Sequence, residues 1–169
     1  MTYDEAMGRI QAAAVAAGMQ PARTPLIYGR DALVGRTSEF KLLRWMATKL
    51  HTFLVAAPFP AGVTAAELDT FMGAALQHAS SNKGGLPRGF QTGVAAIVVA
   101  VTQRPSPEAV AWATKVHGRN FAAFPWPVLV DIESHTAVQP NRMVIGGLYS
   151  SYLKGLGRSL AIEPITAAG

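Results

Sequence analysis

The chain has 169 residues, half of them apolar and only 15% charged, with no cysteine and a formal net charge of +5. That length buries one core without disulfides or a structural metal. The charged fraction, against ~25% in ordinary globular proteins, excludes a disordered polyelectrolyte, and the missing cysteine excludes zinc–thiolate sites and thiol catalysis.

A cysteine-free chain fits a cytoplasmic protein. Asp4 and Glu5 stand where a signal peptide would carry positive charge, and no apolar run approaches the ~20 residues of a membrane span. No membrane association is expected. Sparse charge leaves apolar surface short of cover, which favours a homo-oligomer. The basic balance favours nucleic acid or a phosphorylated ligand as partner.

Thr2 and Glu5 form a capping box ahead of an Ala-rich run, which predicts a first helix with Ile10, Ala13, Ala14 and Ala17 as its apolar stripe. Leu26–Tyr28, Ala32–Val34, Phe40–Met46 and Leu50–Ala57 then read as strands of an antiparallel meander. A single helix is the alternative here, because Phe40, Leu43, Ala47, Leu50 and Leu54 also fit a helical stripe; Thr48, Thr52, Phe53 and Val55 favour strands. Thr64 and Glu67 make a second capping box. Leu68, Phe71, Met72, Ala75, Leu76 and Ala79 follow at helical spacing.

The continuous apolar run Gly93–Val101 suits a strand covered on both faces. Ser106 and Pro107 start a third helix, and Val128–Ile132 is another buried strand, so strand, helix and strand make a parallel crossover. A short strand near Thr136–Gln139 and a last helix around Leu148–Leu156 complete a single domain over residues 1–169. The expected class is α+β: one mixed sheet, an N-terminal meander plus a parallel β-α-β crossover, packed by about four helices.

The polar chemistry concentrates in Arg30–Val55, which holds five of the fifteen basic residues. Asp31 followed by Glu39-x-Lys41 is similar to the pattern of metal-dependent nucleases of the PD-(D/E)xK type. The resemblance implies two carboxylates on a divalent cation and a lysine orienting the attacking water. The residue before Asp31 is Arg30, where the pattern has proline. A three-residue loop at Gly35–Thr37 would put Asp31, Glu39 and Lys41 on one face. His51, inside an expected strand, is the best lone general acid–base candidate.

Arg36, Arg44 and Lys49 on the meander, with Lys83 and Arg88 flanking the glycine-rich segment Lys83–Gly93, form the candidate anion-binding set. Asp131, Glu133 and His135 would share a strand face and suit a divalent metal. The functional expectation is an anion-binding domain. The alternatives are an enzyme, either the nuclease-like one or a small-molecule enzyme using His51 and Asp131, and a structural self-assembling protein.

Overall fold

The structure, a computed structural model, describes residues 1–27, 30–43, 46–84, 92–118, 123–142 and 147–167, with the backbone alone at 26, 27, 30, 38–43, 46–49, 92, 147 and 148. Chain order is α1 (Tyr3–Ala16), β1 (Ala22–Ile27), β2 (Arg30–Leu43), β3 (Met46–Pro58), α2 (Ala65–Asn82), β4 (Thr92–Thr102), α3 (Pro107–Thr114), β5 (Ala123–Asp131), β6 (Thr136–Val138), α4 (Gly147–Gly157) and α5 (Glu163–Thr166). A π-helical turn, Arg158–Ile162, joins α4 to α5. There the Glu163 N–H reaches back to Arg158 O, ahead of Pro164, which has no N–H to donate.

All strands belong to one six-stranded sheet in the order β1-β2-β3-β4-β5-β6. The pairs β1–β2, β2–β3 and β5–β6 are antiparallel, and β3–β4 and β4–β5 are parallel. The fold is therefore the expected α+β domain, with one crossover more than expected: α2 joins β3 to β4 just as α3 joins β4 to β5. Strands replace the helical alternative over Phe40–Leu43 and Met46–Leu54.

Strand alternation sorts the core into two layers. Leu33, Leu54, Ile97, Val99, Trp126 and Val128 face α1, α4 and the π turn, meeting Met7, Ile10, Leu153 and Leu160. Phe53, Val55, Val98 and Ala100 face α2 and α3, meeting Leu68, Phe71, Ala75 and Trp112. β4 is buried on both faces from Val94 to Val101, which is why it has no polar alternation. Both capping boxes form: Thr2 Oγ1 accepts from Glu5 N and Thr64 Oγ1 from Glu67 N, while each Glu carboxylate accepts from the cap backbone. Trp112 Nε1 donates to Asp69 Oδ1 at 2.7 Å and ties α3 to α2.

The expected hairpin at Gly35–Thr37 is absent. Those residues lie mid-strand in β2, with Gly35 opposite Leu54, Arg36 opposite Phe53 and Thr37 opposite Thr52. A Cβ on Gly35 would stand 3.1 Å from Met19 Sδ and 3.3 Å from Met19 Cβ. This glycine lets the α1–β1 connection pack closely on the strand; it makes no turn. Among the described residues, no helix is long and apolar enough to cross a membrane.

Candidate functional site

The residues that come together are Arg36, His51 and Lys83, where α2 ends near the start of β4. Arg36 shares a sheet face with Ala32 and with Phe53, its cross-strand neighbour. Its guanidinium passes over the Phe53 ring, 5.7 Å from the centroid, and His78 of α2 meets the same ring edge-on. Nη1 then donates to Asn82 O at 3.0 Å and Nη2 to Lys83 O at 2.6 Å. These carbonyls end α2, where a helix leaves acceptors unfilled and carries partial negative charge. Gly84 at φ +66° supplies the left-handed residue that turns the chain away.

Arg36 Nη2 also lies 3.1 Å from His51 Nδ1. A guanidinium only donates, so Nδ1 is the acceptor and the neutral ring carries its proton on Nε2. His51 and Lys83 are both buried, at 3% and 7% exposure, while Arg36 is exposed. Lys83 Nζ donates to Gly84 O at 3.4 Å. Among the described residues Arg36 meets carbonyls, an imidazole and an aromatic face, with no carboxylate. The Arg36 side chain therefore closes the corner where α2 ends at Lys83, and the glycine-rich segment follows directly in the sequence. Lys49 lies two residues before His51 in β3, on the same face by alternation. Arg44 and Arg88 lie outside the described residues.

The other candidate constellations do not assemble. Asp31 and Glu39 belong to the same strand, eight residues apart, a span of about 27 Å in extended chain. Two carboxylates must each come within about 2.6 Å of a cation to share it, so Asp31, Glu39 and Lys41 make no common metal site. The loop that would have folded them together does not exist. His51 and Asp131 do not share a substrate either. His51 is in register with Val94 and, through it, with Ala123. Asp131 lies eight residues along β5 from that point, again about 27 Å away.

Asp131, Glu133 and His135 part because β5 stops at Asp131 and a turn follows. Asp131 Oδ1 accepts from Glu133 N at 3.0 Å and Arg104 N at 3.2 Å, and Oδ2 from Ser134 Oγ at 2.7 Å. Partial burial pushes the Asp131 carboxyl up. The hydrogen bonds from the Ser134 hydroxyl and the backbone of Glu133, Arg104 and Ser134 outweigh it, and the net shift is below the ordinary aspartate value. Glu133 pairs instead with Arg104 at 2.6 Å. His135, at φ +53°, has Nε2 3.3 Å from the Met1 amine. Among the described residues no group of three His, Cys, Asp or Glu is placed to hold a metal.

One feature was illegible in the sequence. At the carboxyl ends of β4 and β5 a cavity of about 320 Å³ opens between α3, β5 and β6, lined by Arg104, Val110, Leu129, Asp131, Thr136 and Val138. The short strand expected near Thr136–Gln139 folds back beside β5 as β6, but the space left between it and α3 has no mark in the local pattern. The chain matches no family model, no curated protein and no solved structure.

Proposed function

We propose that this chain binds an anionic ligand, a nucleic acid or a phosphorylated molecule, at the corner where α2 ends. The observation that carries the reading is Arg36 held on the Lys83 carbonyl and the His51 ring, where the sequence enters the glycine-rich segment, with no carboxylate on Arg36 among the described residues. Arg36 retains N–H groups beyond those on Asn82 O and Lys83 O, since a guanidinium carries five. The adjoining glycines suit a backbone that crowds its N–H groups around an anion. A net charge of +5 adds long-range attraction for a polyanion.

The test is retention on heparin and binding of single-stranded DNA across a salt series. Two engaged cations give an affinity for single-stranded DNA falling with a log–log slope of about −1.4. Lys83→Gln lowers affinity and flattens the slope by about one unit. Exposed Arg158, paired with Glu163, is the control, and Arg158→Gln leaves both unchanged. Failure to bind heparin, DNA and inorganic phosphate alike at low salt removes the reading. Equal losses in both variants would mean diffuse charge attraction and no site.

A further inference from the structure

Among the described residues the sheet leaves part of one edge strand unpaired. β2 is fourteen residues long, but β1 pairs with it only from Arg30 to Val34. Among the described residues no strand pairs with the outer side of Gly35–Leu43. The inner side is paired to the end, Leu43 facing Met46, while among the described residues β4 joins β3 from Lys49 onward. Among the described residues β2 and β3 run on beyond that point as a two-stranded ribbon, which is marginal in water without further cover. A long open edge invites another strand.

We infer that this edge pairs with the same edge of a second copy, antiparallel about a two-fold axis centred on Phe40. Charge selects the register. In a two-fold antiparallel pair each residue faces the one equally far on the other side of the axis. Centring on Phe40 sets Glu39 opposite Lys41 of the second copy, and Lys41 opposite its Glu39, two opposite-charge cross-strand pairs. Centring one residue earlier sets Glu39 against Glu39; one later sets Lys41 against Lys41. Half-residue shifts leave both charges facing uncharged residues.

Length agrees with charge. Centred on Phe40, the ladder runs from Thr37 to Leu43 on each copy, inside the open stretch Gly35–Leu43. Gly35 and Arg36 remain as clearance between the hairpin end of one copy and the β1 edge of the other. An edge lysine alone repels its own copy; Glu39 two residues away turns that repulsion into mutual pairing. Glu39 and Lys41, which make no metal site, thereby have a common role. The inference is independent of anion binding at Arg36.

Sedimentation velocity of the full chain tests it. The unsubstituted chain is expected to dimerise. Glu39→Lys and Lys41→Glu each weaken the dimer by about tenfold to a hundredfold, since two pairs turn repulsive. The double exchange restores it. A chain that stays monomeric, or a dimer indifferent to either single exchange, or one not rescued by the double exchange, overturns the proposal.

Cysteine cross-linking avoids any dependence on charge variants. The chain has no cysteine, and the axis puts residue 40 opposite itself at about 4.5–5.5 Å between Cα atoms, within disulfide reach. Mild oxidation of Phe40→Cys gives a covalent dimer, whereas Leu42→Cys, displaced along the ladder from its own copy, does not. Equal cross-linking of the two, or none at residue 40, rejects the register.

Discussion

Arg36 Nη2 lies 3.1 Å from His51 Nδ1 and 2.6 Å from Lys83 O, so one nitrogen joins strand β3 to the end of helix α2. The fork shape matters, because Nη1 takes Asn82 O at the same time. Arg36→Ala leaves two helix-end carbonyls and a buried imidazole nitrogen without this donor, and the expected loss is roughly 1–3 kcal/mol of stability. Arg36→Lys recovers only part of it, because an ammonium is a point charge and cannot span acceptors as a guanidinium does. Denaturant unfolding measures the loss. Amide exchange in the last turn of α2 locates it: protection falls there and not in β4.

Asp131 predicts the acid limb of the stability curve. Its native carboxyl sits below the ordinary aspartate value, so the unfolded chain binds its proton first as pH falls. The stabilisation is complete above about pH 4, near the unfolded value. It is lost as pH drops through the lower native value. Asp131→Asn therefore removes this contribution at neutral pH, and its stability varies less with pH below 4 than that of the unsubstituted chain. Thermal melts from pH 7 down to 2 read the difference. Parallel curves for the two proteins would mean that the hydrogen bonds from Ser134, Glu133 and Arg104 do not favour the charged form.

The layers of this fold were legible because periodicity reports burial. The stripe Leu68–Ala79 packs on the sheet as α2, and the unbroken run of β4 is buried on both faces. The site was legible only in part. Gly35-Arg36-Thr37 has the composition of a turn, yet the close approach of Met19 accounts for the glycine, and that approach comes from a distant connection. Arg36 was readable as a cation, but its attachment to a helix end 46 residues away leaves no local signature. The Asp131–His135 alternation failed for an opposite reason. The carboxylate bonds to the backbone just after it and ends the strand it was expected to continue.

Two glycines of α4 make a paired prediction that separates intrinsic propensity from packing. A Cβ on Gly155 meets nothing within 4 Å, so Gly155→Ala gains the helix preference of alanine, about 0.5–1 kcal/mol. A Cβ on Gly157 would press on Gln139 Oε1 and stand 3.0 Å from Trp126 Nε1. These two atoms share a 2.8 Å hydrogen bond, and Trp126 is fully buried. Gly157→Ala must therefore displace a fixed indole or break its hydrogen bond, with an expected loss of about 1–3 kcal/mol. The two variants move the unfolding midpoint in opposite directions, and only Gly157→Ala changes the near-ultraviolet circular dichroism of the indoles. A stabilised Gly157→Ala protein would mean that Gln139 leaves Trp126 at little cost and that the close approach of α4 to β5 is incidental.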